Sequence, residues 1–162
     1  MIALAHEAIA PGEGHERGRA LLRQLYFAHR GMEMPEIVLE ERGKPRFVED
    51  PIHFSITHTP NHVFCAISDR PIGIDAEELD RKLNLRIAER ILSPAEKAQL
   101  EAAANKPRAL LTFWVLKEAA VKCSGEGLRG YPNNTNFSLH DPRVREIDGC
   151  LVAVIEDISK TR

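Results

Sequence analysis

Apolar residues recur at helical spacing in four stretches of the chain, and two of these have clear end signals. In the first, Leu21, Leu22 and Tyr26 share one face, and Gly31 is a natural stop. The third begins at Ser93, which is followed by a proline at the first helical position and by a glutamate at the capping-box offset. The predicted helices are residues 16–30, 85–92, 94–105 and 107–124.

Shorter stretches are rich in β-branched and aromatic residues, which is typical of strands. They are residues 1–10, 37–40, 52–57, 63–67, 72–78, 136–140 and 150–156. A turn at residues 59–61 makes the third and fourth of them an antiparallel hairpin. Helices mixed with hairpin-joined strands predict an α+β fold, with helices packed against an antiparallel or mixed sheet. No linker divides the 162 residues, so we expect one domain over residues 1–162.

Composition limits the partners and the compartment. The net charge of −2 means that the molecule as a whole does not attract nucleic acid or anionic lipid. No stretch approaches the ~20 apolar residues of a membrane span. The three cysteines are far apart in apolar surroundings, which is typical of core residues in a reducing compartment. We therefore expect a cytoplasmic protein that binds neither nucleic acid nor membrane.

The predicted helix at residues 107–124 has an unusual face. Leu110, Trp114, Glu118 and Lys122 are spaced four apart, so an aromatic ring, a carboxylate and an ammonium group lie on one side of the helix. The rest of the helix is apolar enough to be buried. A carboxylate on a largely buried helix needs a cation or a metal as its partner.

The predicted strand at residues 72–78 supplies two more carboxylates. Asp75 and Glu77 lie on the same face, because successive side chains in a strand alternate. Together with Glu118 they would make a three-carboxylate site of the kind that holds Mg²⁺, whereas zinc would favour His or Cys. Such a site suits phosphoryl transfer, and Lys122 would bind a phosphate oxygen.

Spacing alone leaves simpler interpretations open. Asp75 and Glu77 could form a solvated strand face, and Glu118 with Lys122 could be an ordinary ion pair within a helix. His58 taken alone is typical of a polar loop. The segment at residues 42–45 taken alone is a turn.

Five segments together resemble the 4′-phosphopantetheinyl transferases. Residues 72–77 resemble the signature G-[IV]-D-x-E, and residues 114–122 resemble W-x-x-K-E-[AS]-x-x-K. Residues 42–45 are similar to the G-K-P turn of that family, and residues 54–59 to its F-N-[IV]-S-H-[ST] strand end. Residues 125–128 are similar to the G-x-G-L loop that follows the catalytic helix. The resemblance covers roughly residues 18–140.

Asp75 lies near the middle of the chain, whereas the short trimeric type of that family has its metal-binding aspartate close to the N-terminus. The chain therefore resembles the surfactin-synthetase type, with a shortened N-terminal half. That type implies two similar packed halves, here about residues 1–70 and 71–162, and a monomer. The implied reaction transfers the 4′-phosphopantetheine group of coenzyme A to a serine of an apo acyl or peptidyl carrier protein. Adenosine 3′,5′-bisphosphate is released.

The resemblance also implies roles for single residues. Asp75, Glu77 and Glu118 would hold Mg²⁺, or Mn²⁺, against the coenzyme A pyrophosphate. Glu118 would be the base for the incoming serine, directly or through a water, and Lys122 would bind phosphate and stabilise the leaving group. The substrate contacts implied on the other elements are Lys44 and Pro45 near the adenine and ribose phosphate, and Thr57 and His58 near phosphate oxygens.

Three further features are expected to take part in binding: the start of the first helix, one more acid and a basic cluster. The segment before Gly18 is short, and residues 8–14 contain no Lys or Arg, where the resemblance implies a basic grip on the 3′-phosphate. His15, Arg17 or Arg19 would substitute for it only if the helix start turns toward the pocket. Glu78 is a further possible metal ligand. A basic cluster would meet an acidic carrier protein, and its members are Arg81, Lys82, Arg86 and Arg90.

Two other functions use the same residues. A non-catalytic module that binds coenzyme A or a carrier protein would show ligand-dependent stabilisation without turnover. A metal-dependent phosphohydrolase would cleave coenzyme A without any carrier protein.

Overall fold

The structure is a computed structural model that describes residues 1–127 and 135–157. The helices are α1 (Gly14–Arg30), α2 (Ile87–Ile91), α3 (Pro94–Ala102) and α4 (Lys106–Ser124). The strands are β1 (Ala3–Ala8), β2 (Ile37–Leu39), β3 (Pro45–Phe47), β4 (His53–His58), β5 (His62–Ser68), β6 (Ile72–Glu78), β7 (Val144–Ile147) and β8 (Cys150–Glu156). The predicted α+β fold is confirmed. Residue 128, the last of the predicted G-x-G-L loop, lies outside the described residues.

Two three-stranded antiparallel sheets form the body of the molecule. In the first sheet β5 lies between β1 and β4, and in the second β8 lies between β6 and β7. Both sheets are built in the same chain order: an edge strand, a long helix, the opposite edge strand, and then the central strand. A separate two-stranded ribbon pairs β2 with β3.

The core has three parts because the central strands are apolar on both faces. On β5, Val63, Cys65 and Ile67 pack against the cluster that includes Leu22 and Tyr26 of α1. The opposite face of β5 contributes to a shared cluster between the sheets, whose members are Phe64, Ala66, Ile72, Ile74, Ala76, Cys150, Val152 and Val154. The remaining face of β8 packs under α4. The layers are therefore helix, sheet, sheet and helix.

One predicted strand is wrong, and two strands, β3 and β7, were not predicted. Residues 136–140 are not a strand, because side chains of α3 take their amides: Glu96 accepts from Phe137 and Gln99 accepts from Leu139. The edge strand is β7 instead. The short β3 was not predicted, since it begins with a proline, which is tolerated only at strand ends and edges.

The predicted cysteines and helix ends are confirmed. Cys65, Cys123 and Cys150 are free and buried. Gly31 ends α1 with a left-handed backbone, and Ser93 and Glu96 form a reciprocal capping box at α3. Within the described parts of the chain, no helix is both long and apolar enough to cross a membrane.

Candidate functional site

Close packing of α4 on β6 brings the two predicted motifs together. A Cβ atom on Gly73 would lie 2.0 Å from the carbonyl oxygen of Ala119 and 2.5 Å from the amide nitrogen of Cys123. These are backbone atoms of α4, so no side-chain movement could relieve the clash. The glycine of the first signature is therefore needed for the approach of the helix.

The two signatures match in spacing once the elements are packed. Two strand residues advance about 6.7 Å, and four helix residues advance about 6.0 Å. Gly73 accordingly lies against Ala119 and Cys123, and Glu77 contacts Trp114 at the far end. Asp75, between them on the strand, contacts the side chain of Lys122. The predicted strand face and the predicted helix face thus oppose each other, in antiparallel direction.

Asp75 is the buried centre of this contact. Its Oδ1 accepts hydrogen bonds from Lys122 Nζ at 2.8 Å and from Thr57 Oγ1 at 3.2 Å. Its Oδ2 is buried without a hydrogen-bond partner. Burial raises the pKa of Asp75 to about 6; Lys122 opposes this shift, and the charges of Glu77 and Glu118 add to it. The carboxylates of Glu77 and Glu118 are therefore both close enough to Asp75 to act on it electrostatically.

Glu77 has two partners of its own. Its Oε1 accepts a hydrogen bond from Trp114 Nε1 at 3.1 Å, and it forms an ion pair with Arg81. The Arg81 guanidinium also lies over the Trp114 ring, 5.7 Å from the centroid. Glu118 is half-buried on the same side of α4.

The acids are not preassembled as a metal site. Among residues 1–127 and 135–157, no three His, Cys, Asp or Glu side chains are grouped closely enough to hold a metal ion. Lys122 and Arg81 instead neutralise Asp75 and Glu77. The donor set still fits a hard divalent cation, because it consists of carboxylate oxygens and includes the unpartnered Oδ2 of Asp75.

A cleft of about 430 Å³ opens beside this contact, within the size range of small-molecule sites. We call it the main cleft; its lining includes His15, Arg19, Lys44, Pro45, His58 and Lys122. Four of the predicted site residues therefore share one cavity. Lys44 Nζ donates a hydrogen bond to the carbonyl oxygen of Cys123 at 2.6 Å, which ties β3 to the end of α4.

His58 joins the main cleft to a second concavity on the other side of the Asp75 contact. We call this the acidic hollow; it is lined by Thr57, His58, Thr59, Pro60, Asp75, Ala76, Glu77, Glu78, Asp80 and Arg81. Thr57 lines the hollow rather than the main cleft, and its hydroxyl bonds to Asp75. Its predicted contact with phosphate stays a prediction.

The start of α1 does turn toward the main cleft. A Cβ atom on Gly14 would lie 2.3 Å from the His58 ring, so the first turn packs directly against this histidine. His15 and Arg19 line the cleft. Arg17 instead forms a two-point ion pair with Glu7. Helical spacing already separates Arg17 from the face shared by His15 and Arg19.

Glu78 and Lys117 have structural contacts that sequence reasoning did not assign. Glu78 accepts hydrogen bonds from Thr59 Oγ1 at 2.9 Å and from Asn61 Nδ2 at 2.8 Å, which holds the β4–β5 turn. Lys117 is fully buried and pairs with the equally buried Glu96 at 2.6 Å. The one available signal was that Lys117 falls among apolar residues of α4.

Comparison with known proteins agrees with this geometry. The profile of the 4′-phosphopantetheinyl transferase superfamily matches residues 71–153, just over half of the chain. The chain belongs to this superfamily. The matched residues include β6, α4 and most of β8. They therefore include both the strand and the helix that meet at Asp75.

Three curated relatives illustrate the similarity of this superfamily member to full-length proteins. It is 38% identical over 90 residues to the 4′-phosphopantetheinyl transferase gsp of Aneurinibacillus migulanus, covering 54% of this chain and 37% of that protein. It is 36% identical over 104 residues to the 4′-phosphopantetheinyl transferase Sfp of Bacillus subtilis (strain 168), covering 62% of this chain and 46% of that protein. It is 32% identical over 119 residues to the 4′-phosphopantetheinyl transferase AcpT of Escherichia coli (strain K12), covering 70% of this chain and 60% of that protein.

The chain thus spans about half the length of these relatives. The family predicted from the two signatures is confirmed, and the similarity to Sfp and gsp supports the surfactin-synthetase type.

Proposed function

We propose that this chain transfers the 4′-phosphopantetheine group of coenzyme A to a serine hydroxyl of an apo acyl or peptidyl carrier protein. The observation that carries the proposal is the Asp75 contact: a buried carboxylate with one unpartnered oxygen, two further carboxylates nearby, and Lys122 at 2.8 Å. A cleft and a hollow open on its two sides and share His58. One side suits the nucleotide substrate and the other suits the incoming serine.

Asp75, Glu77 and Glu118 would hold Mg²⁺ or Mn²⁺. When bound, a divalent cation neutralises charge on the pyrophosphate and on the leaving group. The support from this chain is chemical: all three are carboxylates, and Asp75 Oδ2 has no other partner. Lys122 is positioned by the carbonyl oxygen of Ile74 at 3.1 Å as well as by Asp75, so its ammonium group would face phosphate in a fixed place.

The chemistry requires no nucleophile from the protein. The serine oxygen would attack the phosphorus that bears the pantetheine arm, and the bond from that phosphorus to adenosine 3′,5′-bisphosphate would break. Glu118 would accept the serine proton, directly or through a water. Lys122 would stabilise the charge that develops on the departing phosphate.

The main cleft would hold coenzyme A. Pro45 and the stem of Lys44 would contact the adenine and ribose, while His15, Arg19 and His58 would contact phosphate oxygens. This assignment gives the cleft one histidine and one arginine from α1, in place of the basic segment that the family resemblance implies before this helix.

The carrier protein would dock beside the acidic hollow. Lys82, Arg86 and Arg90 follow β6 and are exposed, so they would meet an acidic helix of the partner. We also propose that residues 1–70 and 71–162 are two similar halves, which the shared sheet topology supports, and that the chain acts as a monomer. Its free, buried cysteines favour a reducing, cytoplasmic setting.

The decisive experiment incubates the protein with apo carrier protein, coenzyme A and Mg²⁺ and follows the carrier mass. We expect a gain of one phosphopantetheine group. Glu118→Gln should reduce the rate by at least about 100-fold through loss of the base, while Glu101→Gln, an exposed acid of α3, should leave it unchanged. No mass gain with any of several carriers would overturn the proposal. Cleavage of coenzyme A without a carrier would identify a hydrolase instead.

A further inference from the structure

Arg81 has a place in the site that neither signature includes. It forms an ion pair with Glu77, four residues earlier, and its guanidinium covers the Trp114 ring at 5.7 Å. The Arg81 side chain is 45% exposed, whereas that of Glu77 is 13% exposed. An accessible cation therefore covers a mostly buried acid at the rim of the acidic hollow.

The two cations of the site are held differently. Lys122 belongs to α4 and is fixed by two acceptors, the carbonyl oxygen of Ile74 and the carboxylate of Asp75. Arg81 lies in the connection after β6, where its amide nitrogen donates to the carbonyl oxygen of Glu78 at 2.9 Å. Rotation about its side-chain bonds is enough to carry the guanidinium from Glu77 into solvent, without movement of a helix or a strand.

Glu77 cannot serve Arg81 and a divalent cation equally well. Arg81 and Trp114 both bond to Oε1 of Glu77, and a divalent cation on the same carboxylate would be repelled by the Arg81 guanidinium. The hydrogen bond from Trp114 Nε1 already takes part of the capacity of Oε1. The indole fixes the orientation of the acid, so the exposed arginine is the partner that can leave.

We propose that Arg81 is a displaceable counter-charge that competes with the divalent cation for Glu77. The inference rests on the proposed role of Glu77 as a metal ligand. Metal binding moves the guanidinium away from both Glu77 and the Trp114 ring. The apparent association constant for the metal is then the intrinsic constant multiplied by the fraction of molecules in which Glu77 is not paired with Arg81.

The displaced guanidinium stays at the rim of the hollow, close in sequence to Lys82 and Arg86. An acidic partner that binds Arg81 there would strengthen metal binding, because the coupling between two ligands is reciprocal. Arg81 thereby links metal loading to the docking of the carrier protein.

The test measures Mg²⁺ binding to the full chain by calorimetry, for wild type, Arg81→Met and Arg108→Met. Arg108→Met is the matched control, because it also removes a partly exposed arginine from an ion pair, with Glu146. We expect Arg81→Met to bind Mg²⁺ about fivefold more tightly or better, a modest coupling between two sites. The Arg108 variant should match wild type, and Arg81→Lys, which keeps the charge, should be intermediate.

Trp114 is the only tryptophan in the sequence, so its fluorescence reports on the same contact. Mg²⁺ should change the emission of wild type more than that of Arg81→Met, in which no guanidinium leaves the ring. Equal or weaker Mg²⁺ binding by Arg81→Met would overturn the inference and leave the proposed transfer intact. If neither protein binds Mg²⁺ with coenzyme A present, both the inference and the proposed metal role fail, while carrier mass still reports on transfer separately.

Discussion

At the scale of single residues, this site depends on an uncharged residue, Gly73, as much as on its charged side chains. Gly73 allows α4 to lie so close to β6 that Lys122 reaches the Asp75 carboxylate at 2.8 Å. The acids and the lysine could be intact in sequence and still fail to meet if a side chain separated the two elements.

We therefore predict that Gly73→Ala is among the most damaging small substitutions in the chain. The new methyl group would lie 2.0 Å from the carbonyl oxygen of Ala119, so the helix must shift, at a cost of at least about 2 kcal/mol in the free energy of unfolding. Gly18→Ala is the control. Its Cβ would meet a side-chain methyl group of Ile56 at 2.8 Å rather than a backbone atom, so less has to shift, and alanine favours the helix. Urea denaturation should show a loss in the first variant at least twice that in the second.

A second prediction concerns the buried pair of Glu96 and Lys117. Both side chains are fully buried, and Glu96 also accepts from the amide nitrogens of Ser93 and Phe137. Lys117→Met would leave a buried carboxylate without its cation, which we expect to cost about 3–5 kcal/mol of unfolding free energy. Adding Glu96→Gln should recover part of that loss, because glutamine removes the buried charge, although it keeps only one of the two oxygens that accept from Ser93 and Phe137. Simple additivity of the two losses would contradict the assignment of a pair.

At the scale of elements, hydrogen bonds from the β4–β5 turn to the end of β6 fix the position of the turn that follows His58. The side chain of Glu78 accepts these hydrogen bonds from Thr59 and Asn61, across the junction of the two sheets. Partial burial alone would raise the pKa of Glu78, but the hydrogen bonds from Thr59 and Asn61 outweigh this and lower it below the ordinary 4.5. The expectation that Glu78 is a metal ligand stays untested, but its contacts place it in support of the turn.

The lowered pKa of Glu78 gives a prediction with a definite sign. An acid whose pKa is depressed in the folded state stabilises that state above its unfolded pKa, and this contribution is lost as pH falls through the folded value. Glu78→Ala should speed hydrogen exchange of the Asn61 and His62 amides at neutral pH, and its difference from wild type should shrink below about pH 4. Asp80→Ala, an exposed acid next to the turn, is the control. Equal exchange in wild type and Glu78→Ala at neutral pH would contradict the prediction.

At the scale of the whole molecule, the main cleft exists only because elements of both sheets meet. Arg19 comes from α1, which packs on the first sheet, and Lys122 comes from α4, which packs on the second. Lys44 directly precedes the ribbon strand β3. The shared cluster between the sheets fixes their relative position, since it contains apolar residues of β5, β6 and β8.

The assignment of Arg19 predicts how the cleft distinguishes nucleotides. Arg19→Ala should raise the KM for coenzyme A by about tenfold, as expected for one charge-assisted hydrogen bond, and should affect 3′-dephospho-coenzyme A much less. Arg17→Ala removes a similar charge from the same helix but breaks only the exposed pair with Glu7, so KM should not change. Steady-state kinetics with the two nucleotides make the comparison. Equal losses for both would mean that Arg19 does not contact the 3′-phosphate.

The sequence by itself determined the helices, most of the strands and the faces of their side chains, because these depend on local periodicity. Alternation along β6 placed Asp75 and Glu77 on one side, and the four-residue spacing of α4 placed Trp114, Glu118 and Lys122 on one side. The capping box of α3 was readable from adjacent residues, and the family from five short segments taken together.

Only the tertiary structure decided which charged groups meet, because several candidates compete for each partner and the winner depends on packing between distant segments. It paired Lys122 and Thr57 with Asp75, placed Arg81 over the Trp114 ring, and paired Arg17 with Glu7 rather than with the cleft. It also turned residues 136–140 away from a sheet, since side chains of α3 took their amides. Hydrogen bonds of this kind are specified by the fold and leave no local pattern in the chain.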